Sequence, residues 1–170
     1  MRSRLFVALW PDDDWCRQAS EIQKFLPPDC RKIPSENFHV TLAFLGDVDD
    51  SLLTELQLLL QRQQTKSFAL QFRKLVHWRG DVAVLLPDED VGLLNFVRQL
   101  HEDLRLAGFV LEPRPYKPHV TLARSCPEFC PQEISLPEWL VHEWVLVRST
   151  LLPQGSRYDI LRRYPVTKSQ

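Results

Sequence analysis

The sequence has almost no excess of charge of either sign and no long apolar run. It contains 21 Lys and Arg residues against 22 Asp and Glu residues, a formal net charge of −1. A long nucleic-acid footprint requires a broad cationic surface, so this composition allows recognition of a single phosphate or an RNA end at most. The apolar runs, such as 82–86, are far too short to cross a bilayer, and no signal peptide opens the chain. We therefore expect a cytosolic protein without a membrane partner.

The sequence also lacks the common motifs of metal and cofactor sites. HExxH, Walker A and GxGxxG patterns are all absent. Without a secretory context, the four cysteines are expected to stay reduced. Cys126 and Cys130 follow His119 at a loose zinc-ligand spacing, but two ordinary thiols in a proline-rich loop are the favoured interpretation. We expect neither a metal nor a cofactor.

The patterning predicts one α+β domain spanning residues 1–170. Proline, aspartate and apolar spacing predict three helices, from after Pro11 to about Leu26, after Asp50, and over 93–104 with Gly108 as its end. Strands are predicted at 3–9, 38–45, 68–76, 82–86, 118–123, 141–152 and 158–162. Strands and helices alternate with hairpins between them, which favours an α+β protein over a doubly wound one.

One five-residue pattern occurs twice, once in each half of the chain. The segments 39–43 and 119–123 both read His-Val-Thr-Leu-Ala, and both lie in predicted strands. Residues i and i+2 of a strand face the same side, so each histidine shares a face with its threonine while the valine and leucine face the core. An internal duplication with a pseudo-two-fold axis would bring the two His–Thr pairs to one central cleft.

Two histidines and two threonines suit phosphoryl transfer at a diester. In-line displacement requires a base behind the nucleophile and an acid behind the leaving oxygen, and imidazoles supply both near neutral pH. Threonine hydroxyls can donate hydrogen bonds to the non-bridging oxygens as charge develops. A strained cyclic phosphate could be opened in this way without a metal. Because the motifs are identical, the sequence does not distinguish the acid from the base.

The paired motifs and their flanks resemble the 2H phosphoesterase superfamily, over nearly the whole chain. Within it, the similarity is greatest to the bacterial and archaeal RNA 2′,3′-cyclic phosphodiesterases, also called 2′-5′ RNA ligases. The flanking segments that carry the resemblance are 4–9, Glu36-Asn37, Leu45-Gly46, 114–119 and 158–164.

This resemblance implies a bilobal α+β fold with an antiparallel sheet and helices in each lobe and the active site between the lobes. It implies an enzyme that hydrolyses RNA 2′,3′-cyclic phosphate ends to 2′-phosphomonoesters. We expect this enzyme to be a monomer. By the same resemblance, His39 is the general acid that protonates the leaving 3′ oxygen, and His119 is the general base that activates water. Thr41 and Thr121 bind the phosphate. Some relatives run the reaction in reverse and join RNA ends through a 2′-5′ bond.

Two residues beside the second motif are further candidates for substrate binding. Relatives often carry a phosphate-binding arginine at the position of Arg124, but strict alternation would turn it away from His119. Either the strand bends after Ala123 or Arg124 only decorates the surface. Tyr116 either stacks on a nucleobase or packs at the edge of the core. His77, His101 and His142 have no partner pattern, and we interpret them as structural or solvated.

Two other functions are compatible with the motifs. The chain could be an RNA-end or phosphate-binding module that has lost catalysis, although both histidines and both threonines are intact. It could also be a 2′-5′ oligonucleotide phosphodiesterase of the same superfamily. Turnover of a panel of cyclic phosphates and linked dinucleotides separates these possibilities.

Overall fold

This computed structural model describes residues 1–167 of the chain, which contain three α-helices and eleven β-strands. The helices are α1 (Asp13–Ile22), α2 (Leu53–Arg62) and α3 (Val91–Leu106). The strands are β1 (Arg2–Leu9), β2 (Arg31–Lys32), β3 (Val40–Asp49), β4 (Phe68–Leu70), β5 (Phe72–Trp78), β6 (Val82–Pro87), β7 (Val120–Arg124), β8 (Gln132–Glu133), β9 (Trp139–Val141), β10 (Glu143–Leu152) and β11 (Gly155–Pro165). The predicted α+β class is confirmed.

The main sheet runs through both halves of the molecule. Its strand order is β11-β10-β1-β3-β7-β6-β5-β8, with β2 beside β7, while β4 and β9 form a separate ribbon. The two halves of the chain exchange strands. β10, from the C-terminal half, pairs with β1, and β2, from the N-terminal half, pairs with β7. The resemblance implies a sheet in each lobe, and here the two are continuous through one residue pair, Val40 opposite Val120.

The helices begin close to the residues that the sequence signals predict, although α1 ends at Ile22 and not at about Leu26. Asp12 caps α1 by accepting a hydrogen bond from the Trp15 N–H, and Asp90 caps α3 in the same way through Leu93. Gly108 follows α3 with φ of +87°, a left-handed conformation that favours glycine at a helix end. None of these helices, within residues 1–167, has the length and apolarity needed to cross a membrane.

All three helices pack on one face of the sheet and leave the other face open. Alternate residues of β1, such as Leu5 and Val7, are buried in the main core together with the apolar stripes of the helices. Phe6 and Ala8 point the other way and join a small cluster made only of strand and loop residues. The face without helices is therefore available for a site. We call it the open face.

The expectation that all four cysteines stay reduced is wrong for two of them. Cys30 and Cys126 form a disulfide, with Cα atoms 4.3 Å apart and 96 residues between them in sequence. They meet because β2 pairs with β7, with Arg31 opposite Arg124, and no local spacing could reveal that pairing. Cys126 is therefore no zinc-ligand partner for Cys130, which is a free, exposed thiol. Within the described residues, no three His, Cys, Asp or Glu side chains are grouped as metal ligands would be.

Replacement of Cys30 by serine should destabilise the fold. The disulfide spans 96 residues, and closing a loop of about that length removes roughly 4–5 kcal/mol of chain entropy from the unfolded state. Urea unfolding without reductant should show this loss for Cys30→Ser. Cys130→Ser is the matched control and should unfold like the unchanged protein. Equal midpoints for all three proteins would show that the link contributes no stability.

Candidate active site

The two motifs lie side by side at the centre of the sheet. Val40 and Val120 face each other across β3 and β7, and both are fully buried against the helices. Because side chains alternate along a strand, Thr41 and Thr121 point to the open face. The two histidines come directly before β3 and β7 and not within them. Ring contacts with Phe6 and Trp10 place His39 on the same face, and His119 contacts the ring of Trp78. The four residues on that face are His39, Thr41, His119 and Thr121. Because the two strands are antiparallel, this register places His39 beside Thr121 and His119 beside Thr41. This arrangement is the one expected for a pseudo-two-fold axis between the two valines.

The two imidazole rings are held in the same way. His39 Nδ1 is 2.7 Å from the carbonyl oxygen of Asn37, and His119 Nδ1 is 2.8 Å from that of Lys117. A carbonyl only accepts, so Nδ1 carries the hydrogen in both rings. The neutral imidazole then has its lone pair on Nε2, which is the atom that gains and loses the proton. In both histidines, Nε2 is therefore the atom that is available for proton transfer.

The surroundings of both histidines favour the neutral imidazole. Burial lowers the pKa of His39 to about 4; the Asn37 carbonyl opposes this shift, and the charges of His119 and Arg124 add to it. Burial likewise lowers the pKa of His119, which the Lys117 carbonyl opposes and the charge of Arg124 reinforces. The free protein therefore holds two neutral, mutually interacting imidazoles at pH 7.

Aromatic rings that the sequence motifs do not assign to the site surround the two histidines. The indole of Trp10 stacks on His39 with ring centroids 5.1 Å apart, and Tyr158 meets the same imidazole edge-on at 5.3 Å. Trp78 lies 4.5 Å from His119. Trp10 could have been found, because alternation through Phe6 and Ala8 places it on the open face. Trp78 and Tyr158 lie beside the histidines because β6 pairs with β7 and β10 with β1, and the sequence does not reveal these two pairings.

A β-bulge turns Arg124 towards the histidines. The register between β6 and β7 shifts by one residue at Leu122, so Leu122 and Ala123 are both buried and Arg124 is exposed on the open face. Its charge lowers the pKa of both motif histidines, which places it near them. Of the two possibilities left open by the sequence, the strand bends. The same bulge at Leu42 of β3 brings Phe44 to the open face.

Tyr116 lies on the other side of the motif strands. Its ring packs against the main core, its hydroxyl donates to the Thr41 carbonyl at 3.0 Å, and burial raises the pKa of that hydroxyl. Ring and hydroxyl are both engaged by the protein, which favours packing at the edge of the core over base stacking for Tyr116. His77 and His101 also contact main-chain carbonyls, those of Cys126 and Leu42, which agrees with a structural interpretation of these two histidines.

Comparison with known families adds to this geometry. The model of the 2′-5′ RNA ligase superfamily matches residues 11–149. A relative from Escherichia coli named RNA 2′,3′-cyclic phosphodiesterase is 28% identical over 151 residues, which cover 84% of either chain. A relative of the same name from Thermotoga maritima is 28% identical over 182 residues, covering 93% of this chain and 92% of its own.

Solved structures share the fold over almost the whole length. E. coli LigT complexed with 3′-AMP superimposes with a TM-score of 0.88 at 29% identity, covering 98% of this chain and 99% of LigT. TT0787 of Thermus thermophilus gives a TM-score of 0.85 at 27% identity and covers 97% of both chains. The family match extends over most of the sequence, including both histidine motifs, and the chain therefore belongs to the 2′-5′ RNA ligase superfamily.

Proposed function

We propose that this chain hydrolyses the 2′,3′-cyclic phosphate end of RNA to a 2′-phosphomonoester, with His39 and His119 as the acid–base pair. The observation that carries the proposal is the placement of two identical His–Thr pairs on one open face, around the Val40–Val120 pair. The choice of substrate and product rests on the names of the relatives, several of which are RNA 2′,3′-cyclic phosphodiesterases.

The proposed step uses one water molecule and two proton transfers. His119 Nε2 takes a proton from water as the water oxygen attacks phosphorus. The bond from phosphorus to the 3′ oxygen breaks, and His39 Nε2 gives its proton to that oxygen, leaving the phosphate on the 2′ oxygen. The hydroxyls of Thr41 and Thr121 donate to the non-bridging oxygens as their negative charge grows, and Arg124 neutralises part of that charge.

This division of roles requires substrate binding to redistribute the proton. In the free protein the pKa of His39 is lowered to about 4, so His39 is neutral near pH 7 and must gain a proton before it can act as the acid. A phosphate beside His39 favours its charged form, because an opposite charge within a few ångströms raises the pKa of an imidazole. The stacked indole of Trp10 acts in the same direction, since an aromatic face attracts a cation.

The rings beside the histidines support RNA as the substrate. Trp10 and Tyr158 are half-buried beside His39, and Phe44 is half-buried in the same cluster of the open face, with the guanidinium of Arg4 4.7 Å above its ring. Single-stranded RNA ends are commonly recognised by bases stacked on aromatic and arginine side chains. The net charge of −1 limits the footprint to a few nucleotides.

The pH dependence of kcat/KM should be a bell with its maximum on the acid side of neutrality. The active form holds one proton on the pair: both imidazoles are charged at low pH, so the base is lost, and both are neutral at high pH, so the acid is lost. The pKa values of His39 and His119 are both lowered, which moves the maximum below the ordinary imidazole value of about 6.5. Initial rates across the pH range, with circular dichroism as a check on folding, measure the curve. A rate that climbs steadily into alkaline solution would contradict the two-histidine mechanism.

The proposed function is tested with an RNA oligonucleotide that ends in a 2′,3′-cyclic phosphate. After exhaustive EDTA treatment we expect full turnover and, by chromatography, a 2′-phosphate product. The reaction should need no metal because the two imidazoles already supply base and acid, and a metal ion would occupy the lone pair needed for proton transfer. Activity lost to EDTA and restored by zinc or magnesium would contradict the mechanism.

Two other outcomes identify the alternatives. Binding of the cyclic end without turnover would indicate an RNA-end binding module. Cleavage of a 2′-5′-linked dinucleotide in place of the cyclic phosphate would indicate an oligonucleotide phosphodiesterase. A 3′-phosphate product would leave the acid–base pair standing and exclude the proposed regiochemistry.

A further inference from the structure

The carbonyl oxygens of Leu42 and Leu122 are each held by a helix side chain from the opposite half of the chain. His101 of α3 lies with Nε2 2.7 Å from the Leu42 oxygen. Gln23, at the end of α1, donates through its amide nitrogen to the Leu122 oxygen at 2.8 Å. Leu42 and Leu122 occupy the same position of the two motifs, so the two hydrogen bonds are equivalent under the pseudo-two-fold axis.

Both carbonyls belong to the bulges that shape the site. The bulges at Leu42 and Leu122 interrupt the regular pairing of β3 with β1 and of β7 with β6. Each bulge follows directly on a motif threonine and turns the side chain two positions later, Phe44 or Arg124, to the open face. Holding the bulge carbonyl therefore fixes the direction of groups on both sides of it.

A second donor from the segment before each motif completes the arrangement. The Ile33 N–H donates to the Leu122 oxygen at 2.8 Å, and the Tyr116 hydroxyl donates to the Thr41 oxygen at 3.0 Å. Gln23 is 8% exposed, and its amide nitrogen also donates to the Ile33 carbonyl at 2.8 Å. Burying a polar side chain is favourable only when its hydrogen bonds are made, and Gln23 makes them to the motif and to its neighbouring segment.

These contacts also set the relation between the two histidines. β3 and β7 share one residue pair, so little of the regular sheet fixes one motif against the other. His101 ties the helix of the C-terminal half to the first motif, and Gln23 ties the helix of the N-terminal half to the second. In-line displacement requires the two Nε2 atoms on opposite sides of phosphorus, a geometry that a small shift of either strand would spoil.

We propose that Gln23 and His101 are a matched pair of positioning residues, each holding the catalytic motif of the other half in its reactive geometry. The proposal rests on the function proposed above. Neither side chain lies among the groups assigned to the phosphate, and their effect passes through the main chain at Leu42 and Leu122. Both positions hold the same motif carbonyl, so the donor used in one half should also hold the carbonyl in the other, although an imidazole at position 23 replaces only the bond to Leu122 and not the one to Ile33.

The test uses leucine variants and exchange variants of both residues. His101→Leu and Gln23→Leu remove the donor at similar volume, and we expect kcat to fall roughly 10- to 100-fold with KM within a few-fold of the unchanged protein. His101→Gln and Gln23→His restore a donor and should recover kcat to within a few-fold. Gln99→Leu on α3 and Gln18→Leu on α1 are matched controls, exposed and bonded only within their helices, and should keep full activity.

Unaltered kcat in both leucine variants, or exchange variants as slow as the leucine variants, would overturn the proposal. A leucine variant that does not fold leaves its exchange variant as the deciding measurement. If the unchanged protein turns over no cyclic phosphate, the proposed function fails. The positioning role of Gln23 and His101 is then tested separately, by the NMR signals of the His39 and His119 rings. Inorganic phosphate should then shift both signals in the exchange variants and not in the folded leucine variants; equal shifts in all of them would overturn it.

Discussion

His39→Ala and His119→Ala should each lower kcat about 10²- to 10⁴-fold, the usual contribution of one general acid or base. Each ring is oriented through Nδ1 by a carbonyl, so removing it deletes a placed proton-transfer group, together with the ring contacts to Trp10 or Trp78. Steady-state turnover of an RNA with a cyclic end measures the loss. His142→Ala is the matched control, since that histidine is exposed and outside the site, and it should retain full activity.

The double variant His39→Ala/His119→Ala should lose much less than the product of the two single losses. Residues that act in one step are not additive, because the remaining partner contributes little once the first is gone. A folded single variant with near wild-type kcat would remove that histidine from the mechanism. Multiplicative losses in the double variant would show that the two rings act in separate steps.

Arg124→Met should lower kcat/KM about 10- to 100-fold, which corresponds to losing one hydrogen bond to a charged group. The bulge at Leu122 places the guanidinium on the open face, where its charge reaches both histidines. The same variant should move the pH optimum upwards, because removing a nearby positive charge raises the pKa of each imidazole. Arg98→Met on α3, exposed and bonded to Asn95, is the charge-matched control and should leave both kcat/KM and the optimum unchanged. A lower rate at an unmoved optimum would place Arg124 outside the reach of the histidines.

The elements of the fold were largely predictable, because each depends on local signals. Pro11 and the aspartates after it marked the start of α1, and apolar spacing identified α2 and α3. The errors are at the ends of elements and in the short strands. α1 closes at Ile22 and continues as a 3-10 turn, and the first motif strand begins at Val40 and runs on to Asp49. The short strands β2, β8 and β9 were not predicted, and the predicted strand 68–76 is divided into β4 and β5. Strand ends depend on neighbours from distant parts of the chain, which a local pattern does not contain.

The placement of the motif side chains in the candidate site was predictable as far as strand alternation holds. The repeat placed His39, Thr41 and their counterparts on one face, because that inference needs only the two-residue period of a strand. Arg124 required the bulge at Leu122, the Cys30–Cys126 disulfide required the pairing of β2 with β7, and the partners of the motif carbonyls required long-range packing. Each of these features depends on residues far apart in sequence, so no motif spacing records them.

The division of labour between two identical motifs is tested most directly by a substrate in which sulfur replaces the bridging 3′ oxygen. A thiolate leaves without protonation far more readily than an alkoxide, since a thiol has a pKa of about 8.5. The general acid is then dispensable, while the base that activates water is still required. We predict that His39→Ala approaches the unchanged protein on the sulfur substrate and that His119→Ala remains slow. Rescue of His119→Ala alone would reverse the roles, and rescue of both variants or of neither would contradict acid–base catalysis divided between the two histidines.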